Sequence, residues 1–388
     1  MKRKLCFITS TRADFGLMSD LIQSVSEDPN FDYQLIVTGT HLSSTFGMTL
    51  SEISENEFVI SEKIDIVSAS DEKLDVAISA GTAMIKISES LNRLKPDLLV
   101  LIGDRFETLS AAVAASILGI PIAHIHGGES TRGAFDEGFR HAITKMSHVH
   151  FVAAQEYFQR VIQLGENPKR VHLTGGLGVD AIHNTDLLER SEIEVKFGFD
   201  FKNKNLLITF HPVTLELSET EKQFEEILLA LSELPDTRLI FTYPNADPLG
   251  VRLIEMINSF VSRNENAVTF ESLGRIGYYS VVKQVDAVLG NSSSGLLEVP
   301  TLKIGTINVG DRQKGRLKSS SVIDCLPEKN SILAALNELY SETFKRALES
   351  AENPNGQGGA VNRIKEILKD VNLDLDLKKE FYDLGVNN

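Results

Sequence analysis

The stretch DLLVLIGDRFETLSAAVAAS, residues 97–116, turns from an unbroken apolar run directly into a segment rich in alanine and serine. A short run that is apolar at every position is typical of a strand buried on both faces of a parallel sheet. The polar turn and the small residues that follow it predict a helix. A buried strand that leads straight into a helix is the first half of a βαβ unit.

The same alternation continues on both sides of this stretch. Further strands are predicted in the first half at KLCFIT, YQLIVT, IPIAHI, VHFVAA and RVHLTG, and in the second half at NLLITF, RLIFTY, NAVTF, DAVLG and KIGTINV. Helical segments such as TEKQFEEILLALSEL separate them. Because strands that alternate with helices form parallel sheets, the expected fold class is α/β, with two Rossmann-like, doubly wound domains.

The length of the chain also points to two domains. At 388 residues it is too long for one ordinary core. The charged segment HNTDLLERSEIEVKFGFDFKNKN has little apolar periodicity and is interpreted as the connection. We expect a first domain over residues 1–183, a linker over 184–204, and a second domain over 205–360. A C-terminal helix and tail over 361–388 should pack back toward the first domain.

Composition narrows the possible functions. A formal net charge of −15 argues against a nucleic-acid binder, which needs a basic surface for phosphates. The apolar run near the N-terminus is too short for a secretory leader, and no later run is long enough to span a bilayer. Cys6 and Cys325 lie in apolar, strand-like runs, so we expect buried free thiols and a cytoplasmic protein.

Two sheets of this kind should place their ligand-binding residues where strands end. Ligands of open α/β sheets bind beyond the carboxyl ends of the strands. A cleft between two such domains is therefore the expected site. The segments that follow predicted strands are Thr9–Gly16, Gly103–Glu107, His124–Glu129, His211 and Asn291–Gly295.

The segment GNSSSGLLEVP, Gly290–Pro300, follows a strand and opens a short helix. Free N–H groups at a helix start, its dipole and neighbouring hydroxyls bind anions, and a diphosphate would fit here. The candidate ligands are Asn291, Ser292, Ser293, Ser294 and Gly295, with Glu298 placed to accept hydrogen bonds from ribose hydroxyls. The alternative is an ordinary serine-capped helix. The segment is neither a nicotinamide glycine fingerprint nor a Walker loop.

Three charged or titratable residues lie just after other predicted strands, and each has two interpretations. Arg12, in TSTRADFG, is either a phosphate ligand or an ordinary surface arginine. Asp104 is either a functional carboxylate or the N-cap of the following helix. His211, in ITFHPVT, is either a catalytic or a structural histidine.

The segment AHIHGGESTRGAFDEGFRHA, residues 123–142, crowds His, acids and arginines among glycines. Asp136 and Arg140 stand four residues apart on a predicted helix, a spacing that also suits a plain salt bridge on the helix face. His124 and His126 form an H-x-H pair. No third and fourth ligand at metal-like spacing accompanies them, so we expect no metal site.

In this order the segments resemble the UDP-N-acetylglucosamine 2-epimerase family, specifically its hydrolysing branch that feeds sialic-acid-type sugar synthesis. The resemblance covers nearly the whole chain. It is carried by TSTRADFG, GTHLS, LIGDRFE, HIHGGE, GAFDEGFRHAITKMSH, GGLGVD, ITFHPVT, TYPNAD, GNSSSGLLEVP and NVGDRQKGR. It implies the GT-B fold, UDP held mainly by the second domain, a homodimer, and no nicotinamide, metal or other cofactor.

The resemblance further implies a reaction in two stages. UDP is eliminated across C1 and C2 to leave an enol-ether glycal, and water then adds to give the free 2-epimer, which is N-acetylmannosamine when the substrate is UDP-GlcNAc. Because breaking the C1–O bond acidifies the C2 proton, an ordinary carboxylate can remove it. Arg12, Arg316 and the Ser293–Ser294 helix start would stabilise the charge on the departing diphosphate.

By motif, the catalytic residues of the family fall on Asp104, Asp136 and His211. The family often has Glu at the third position of an HIE turn, where this chain has His126. Either His126 or Glu129 then serves one step, or the substrate differs where that Glu would touch it. The variant substrate would be UDP-2,4-diacetamido-2,4,6-trideoxyglucose, used for legionaminic-type acids.

Three other functions suit the same scaffold. A GT-B glycosyltransferase would move the sugar to an acceptor, a non-hydrolysing epimerase would return a product that keeps its UDP, and a sugar-nucleotide sensor would bind without turnover. Incubation with the UDP-sugar alone separates them, because only the hydrolysing enzyme releases UDP and a free 2-epimer without an acceptor.

Overall fold

Parallel strands alternate with helices in two separate sheets, which confirms the predicted α/β class and its Rossmann-like domains. The structure is a computed structural model. It describes residues 2–43, 50, 53, 58–66, 73–130, 136–212, 217–244, 249–373 and 378–385.

The described strands and helices have the following bounds. The strands are β1 (Arg3–Thr9), β2 (Phe31–Thr38), β3 (Glu62–Ile64), β4 (Leu98–Ile102), β5 (Ile122–Ile125), β6 (Val149–Val152), β7 (Val171–Leu173), β8 (Lys204–Thr209), β9 (Thr237–Thr242), β10 (Ala267–Phe270), β11 (Ala287–Gly290), β12 (Gly305–Val309) and β13 (Val322–Cys325). The helices are α1 (Arg12–Ser26), α2 (Lys73–Leu94), α3 (Phe106–Leu118), α4 (Asp136–Met146), α5 (Gln155–Gln163), α6 (Leu177–His183), α7 (Arg190–Phe197), α8 (Leu217–Leu231), α9 (Gly250–Val261), α10 (Gly274–Gln284), α11 (Ser294–Leu297), α12 (Lys329–Leu339), α13 (Glu342–Glu349) and α14 (Ala360–Asp370).

The first unit is built on a parallel sheet with strand order β3-β2-β1-β4-β5-β6-β7. It comprises the described residues within Met1–Glu129, Asp136–Ala181 and Asn355–Asn388. Side chains of β1 alternate between two apolar clusters, with Leu5 in one and Cys6 in the other. Because helices cover both faces, each strand can be apolar at every position, as residues 98–102 are.

The second unit repeats the scheme with strand order β10-β9-β8-β11-β12-β13. It comprises Ser130 and the described residues within Ile182–Pro354. In each sheet the strand order reverses once, between β1 and β4 in the first and between β8 and β11 in the second. Loops that follow the two strands at such a switch point leave the sheet in opposite directions and open a crevice for ligands.

Three features differ from the sequence expectations. The predicted strands omitted β3 and β13, which are three- and four-residue strands at sheet edges, too short for a pattern. Residues 184–204 are not a free linker but part of the second unit, because α7 buries Ile193 and aromatic rings follow it. Cys325 lies at the end of an edge strand and is only partly buried, whereas Cys6 is fully buried; both are free.

The chain returns to the first unit at Asn355. There α14 packs on α1 and adds Ile364 and Leu368 to the core of the first unit. The N–H of Val361 near the start of α14 donates to Asp180 Oδ2 over 2.7 Å. In the part of the chain that the structure describes, none of the helices combines the length and the apolarity needed to cross a membrane.

Candidate active site

Asp104 and Arg140 form an ion pair at the carboxyl edge of the first sheet. Asp104 follows β4 after the left-handed Gly103, and its Oδ2 accepts a hydrogen bond from Nη2 of Arg140. The Arg140 side chain is only 3% exposed. The N-cap of α3 is Arg105, so Asp104 does not cap that helix and the capping interpretation is wrong. The helix-face interpretation of Arg140 is also wrong, because its guanidinium points into the protein.

Arg140 is the centre of a cluster of carboxylates. Its Nη1 lies 4.0 Å from Glu129 Oε2 and donates to the carbonyl of His126 over 2.9 Å. Burial alone would lower the pKa of Arg140, but the nearby carboxylates of Asp104, Glu129, Glu137 and Asp136 outweigh burial and raise it. The guanidinium therefore stays charged, and it pairs with Asp104 and lies close to Glu129.

His126 and Glu129 form a buried dyad beside this cluster. His126 Nδ1 lies 2.5 Å from Glu129 Oε1, and both residues are almost fully buried. His126 has φ of 65°, which a non-glycine residue adopts only under constraint. Its N–H donates to Phe151 O over 3.0 Å, and its carbonyl is held by Arg140. Gly128, with φ of 78°, has no room for a Cβ because the Tyr157 carbonyl would lie 2.5 Å away.

His124, two residues earlier, has a different role. Its Nε2 pairs with the Gly103 carbonyl at 2.8 Å and its Nδ1 with Thr144 Oγ1 at 3.1 Å. Burial is the main cause that lowers the pKa of His124 to about 3, so the ring is neutral at physiological pH. With both ring nitrogens satisfied, His124 links the turn before Asp104 to α4 and supports the site without facing a ligand.

Asp136 begins α4 and lies one turn before Arg140. It is partly exposed, while Arg140 on the same helix is buried. The helix predicted to carry Asp136 and Arg140 is α4. The structure thus brings Asp104, His126, Glu129 and Asp136 to one edge of the first sheet, around Arg140.

Arg12 lies at the first position of α1, after β1 and therefore on one side of the switch point between β1 and β4. The loop before it is shaped by Asp14, which accepts hydrogen bonds from the N–H groups of Ser10 and Thr11, both over 3.0 Å. Burial would raise the pKa of Asp14, but hydrogen bonds, first that of His41, outweigh it and lower the pKa. The half-buried Arg12 therefore stands on a rigid turn.

In the second unit, Asn291 and His211 are joined across the switch point between β8 and β11. Asn291 Oδ1 accepts from the N–H of His211 over 2.7 Å, and Asn291 Nδ2 donates to the carbonyl of His211 over 2.8 Å. Asn291 is 1% exposed, and its own carbonyl accepts from Gln313 and Arg312. Its amide oxygen and one of its two amide N–H bonds thus hold the backbone of His211, while its role as a UDP ligand stays a prediction.

The serine segment that follows β11 forms a polar cluster with two tyrosines. Ser294 Oγ donates to Glu298 Oε2 and accepts from the hydroxyl of Tyr278 over 3.0 Å. The hydroxyl of Tyr279 donates to Glu298 Oε1 over 3.2 Å. Burial is the main cause that raises the pKa of both tyrosines, so they remain neutral donors. These contacts fix the carboxylate of Glu298 in one orientation.

The other predicted ligands of the segment differ in their surroundings. Ser292 and Ser293 are partly exposed, and Ser293 precedes α11, a helix of one turn. Gly295 is buried against Thr306, whose Cγ2 would lie 2.7 Å from an added Cβ, so this glycine serves close packing. Arg316, after β12, donates Nε–H to the carbonyl of Ser130 over 3.2 Å.

Sequence reasoning missed several residues that shape these sites. The spacing of Arg140 from Asp136 suggests only a salt bridge, and no local pattern marks Asp14, Tyr278, Tyr279 or Gln313 as site residues. Tyr278 and Tyr279 lie on α10, which their order in the sequence does not connect with Glu298. Among the described residues, no group of three or more His, Cys, Asp or Glu side chains is arranged to hold a metal ion.

Comparison with known proteins places this chain among sugar-nucleotide epimerases. The family model described as UDP-N-acetylglucosamine 2-epimerase matches residues 23–369. The GDP/UDP-N,N'-diacetylbacillosamine 2-epimerase (hydrolyzing) of Campylobacter jejuni is 41% identical and covers 99% of this chain and 100% of its own length. The polysialic acid biosynthesis protein P7 of Escherichia coli is 36% identical, with 98% of each chain covered.

Two further matches extend the comparison. The UDP-N,N'-diacetylbacillosamine 2-epimerase (hydrolyzing) of Legionella pneumophila is 33% identical over 96% of this chain and 97% of its own. The crystal structure of UDP-GlcNAc 2-epimerase from Neisseria meningitidis bound to UDP-GlcNAc has a TM-score of 0.82 at 18% identity, over 94% of this chain and 99% of that chain. At that identity the likeness shows the fold alone.

Proposed function

The chain belongs to the UDP-N-acetylglucosamine 2-epimerase family, and from this premise we propose that it is a hydrolysing UDP-sugar 2-epimerase. It eliminates UDP from the sugar, forms a glycal, and adds water to release the free 2-epimer. The observation that carries the proposal is the buried Arg140 at one sheet edge, which pairs with Asp104 and lies beside the His126–Glu129 dyad.

The first unit supplies the proton-handling groups. Asp104 is fixed by Arg140 but keeps an 18% exposed side chain, so one carboxylate oxygen can reach a substrate. Asp136 at the start of α4 is the second carboxylate. One of them takes the C2 proton while the C1–O bond breaks and its electron pair leaves with the β-phosphate of UDP. Loss of that bond makes C1 electron-poor and the C2 proton more acidic, which brings it within reach of a carboxylate.

The second unit supplies the groups for UDP. Glu298, oriented by Ser294 and Tyr279, is placed to accept hydrogen bonds from the ribose hydroxyls. Ser292 and Ser293 offer hydroxyl donors to the diphosphate, and Arg316 and Arg12 offer positive charge for the leaving group. His211, whose backbone Asn291 fixes, completes the set as a donor near the departing oxygen.

The preferred substrate is UDP-2,4-diacetamido-2,4,6-trideoxyglucose, also called UDP-N,N'-diacetylbacillosamine. Two full-length relatives, at 41% and 33% identity, carry this sugar in their names. UDP-GlcNAc is the second candidate, because the family is named for it and the 36% identical relative is a polysialic acid biosynthesis protein. Either product would feed the synthesis of a sialic-type acid.

We also propose that the enzyme is a cytoplasmic homodimer. Its two cysteines are unpaired thiols, the state that a reducing compartment maintains. The helices α2 and α3 of the first unit present large apolar side chains to solvent, namely Leu74, Ile78, Ile85 and Ile117, each more than half exposed. A cluster of this kind is typical of a surface covered by a partner.

The test is incubation of the purified protein with each UDP-sugar, without acceptor, in water and in heavy water. We expect free UDP and a free 2-epimer in equal amounts, with deuterium at C2 of the product made in heavy water. A product that keeps UDP, or one without deuterium, contradicts the proposal. The ratio of kcat/KM for the two UDP-sugars decides the substrate, with the higher value expected for the diacetamido sugar.

A further inference from the structure

His126 has one ring nitrogen that is buried and unpaired. Its Nδ1 is taken by Glu129, while no hydrogen-bond partner for Nε2 is present among the described residues. The residue is only 7% exposed, so this nitrogen is largely withdrawn from water. A buried polar atom without a partner is uncommon in folded proteins and calls for an explanation, such as a ligand that completes it.

The backbone of His126 holds its ring in place in an uncommon conformation. His126 takes a left-handed φ of 65°, and its N–H and carbonyl are bound by Phe151 and Arg140. Non-glycine residues that their neighbours hold in this region recur at active sites. The comparison with His124 is direct, because that ring lies two residues away and has partners on both nitrogens. Of the two rings in the H-x-H pair, only His126 keeps a nitrogen for a substrate.

We propose that His126 is the acid that protonates C2 in the second half of the reaction, with Glu129 as its positioning residue. This inference rests on the proposed function. In the first half, Asp104 or Asp136 takes the C2 proton, the C1–O electron pair leaves with UDP, and the C1=C2 bond forms. In the second half, Nε2–H of His126 gives its proton to C2 on the opposite face, and the π electrons form the new C–H bond.

The remaining atoms then balance. The electron-poor C1 takes a water molecule, and the proton that this water loses passes to solvent. His126 regains a proton from solvent, and the carboxylate that took the first proton releases it there. The sum is UDP-sugar plus water going to UDP, the free 2-epimer and one proton. Removal of a proton from one face and its return to the other produces the inversion at C2.

An imidazolium suits this step better than a carboxylic acid. A protonated carboxyl is scarce near neutral pH, whereas a protonated imidazole is both available there and acidic enough to give up its proton. A carboxylate hydrogen-bonded to Nδ1 stabilises the charged ring and leaves Nε2 on the side away from the carboxylate, the arrangement that orients the histidine in catalytic triads. Glu129 is 1% exposed, so it cannot itself reach a substrate easily and acts through His126.

The experiment measures the two halves of the reaction separately. UDP release from the UDP-sugar reports the elimination, and conversion of the supplied glycal, a 2-acetamidoglucal or its diacetamido form, reports protonation and hydration. We expect His126→Asn to keep UDP release in a single turnover, to accumulate the glycal, and to hydrate the supplied glycal about 100-fold more slowly than wild type. Glu129→Gln should slow the same half by roughly tenfold, because the ring remains but loses its charged partner.

The matched control is His172→Asn, which makes the same exchange on β7 of the same sheet, at a half-buried ring that packs on Phe151. It should leave both halves unchanged. Glycal hydration by His126→Asn at the wild-type rate, or a loss confined to UDP release, overturns the inference. If His126→Asn does not fold, Glu129→Gln decides by the same two measurements. Failure of the proposed function is distinct, because wild type would then release neither UDP nor a free epimer.

Discussion

At the scale of single residues, Arg140 gives the first unit its chemistry. Its buried guanidinium holds Asp104 directly and Glu129 at 4.0 Å, and it also fixes the carbonyl of His126. Removing one partner of a buried ion pair leaves the other charge uncompensated, so the charged residues of this cluster depend on one another. The sequence shows only that Asp136 and Arg140 are four residues apart, a spacing shared by surface salt bridges. Burial, which the spacing does not encode, separates the two cases.

Replacing either carboxylate by its amide tests the assignment of Asp104 and Asp136. Asp104→Asn and Asp136→Asn should each lower kcat by at least about 100-fold, since a general base contributes 10²- to 10⁴-fold. The UDP dissociation constant should stay within a few fold of wild type, because the proposed UDP ligands other than Arg12 belong to the second unit. Asp97→Asn, at the exposed opposite end of the same strand, is the control. Unchanged rates in both amide variants would refute the assignment.

The proposed role of Glu298 predicts how its loss changes the affinity for UDP. Loss of its carboxylate in Glu298→Ala removes the proposed acceptor of the ribose hydroxyls and leaves Tyr279 and Ser294 without a partner that orients them. A hydrogen bond to a charged group is worth about 1.5–3 kcal/mol, so the UDP dissociation constant should rise roughly 10- to 100-fold in calorimetry. The exposed Glu255→Ala on α9 should bind as wild type does. Equal affinities in the two variants would remove Glu298 from the ribose site.

At the scale of elements, the C-terminal end of α4 is held by the tail of the chain. The first turn of α4 carries Asp136, and its last turn is closed by Lys379 of the C-terminal tail. The Lys379 ammonium donates to the carbonyls of Lys145 over 2.5 Å and Ser147 over 2.6 Å, and lies 2.6 Å from Glu166 Oε2. A cation at this end of a helix satisfies free carbonyls and complements the helix dipole. The tail thus stabilises the helix that carries the proposed catalytic residues.

The variant Lys379→Met removes this contact with α4 without changing a residue of the proposed site. We expect the free energy of unfolding to fall by about 1–2 kcal/mol, from the lost cap and helix-dipole interaction. We also expect kcat to fall while UDP affinity is kept. Thermal denaturation and steady-state kinetics measure the two effects. The neighbouring Lys378→Met, at an exposed residue, should change neither. An unaltered kcat in Lys379→Met would mean that α4 keeps its place without the tail.

Glu166, in the loop after α5, predicts how the same region responds to acid. Burial would raise its pKa, but hydrogen bonds with His150, Lys145 and Lys379 outweigh burial and lower it to about 2. A carboxyl whose folded pKa is lowered stabilises the protein above its ordinary pKa and loses that contribution as pH falls toward the folded value. Urea denaturation from about pH 6 to about pH 2.5 covers this range. Over it, the free energy of unfolding should fall more steeply in wild type than in Glu166→Gln. The exposed Glu156→Gln should follow wild type.

The elements themselves were predictable where burial imposed a pattern. Central strands such as β4 are apolar at every position, because helices cover both of their faces, and the sequence located them. The edge strands β3 and β13 and the helix α7 are short and half exposed, so tertiary contacts decide them. The contact of Lys379 with α4 joins residues more than 230 positions apart. No local pattern predicts a contact of that range.

At the scale of the whole molecule, both units use the same arrangement. In each sheet the candidate residues follow the two strands at the switch point: Arg12 and Asp104 in the first, His211 and Asn291 in the second. The sequence predicted this distribution because strand ends can be located from apolar runs and the crossover rule then places the loops. It could not predict how these residues contact one another, as the side chain of Asn291 does with the backbone of His211.

The apolar surface of α2 predicts the assembly of the molecule. Leu74, Ile78 and Ile85 are spaced at four and seven residues, so they lie on one face of the helix, and each is more than half exposed. Burying such side chains against a second copy stabilises a dimer by about 1.5–3 kcal/mol for each residue fully covered.

Light scattering should give twice the mass of the chain for wild type. For the double variant Ile78→Glu with Ile85→Glu it should show a concentration-dependent shift to the monomer. Val195→Glu is the matched control, because this valine is 86% exposed on α7 without such neighbours on its helix. A wild-type monomer, or a double variant that remains a dimer at all concentrations, would show that this face is not the interface. A monomer that retained full activity would further show that each copy is catalytically independent.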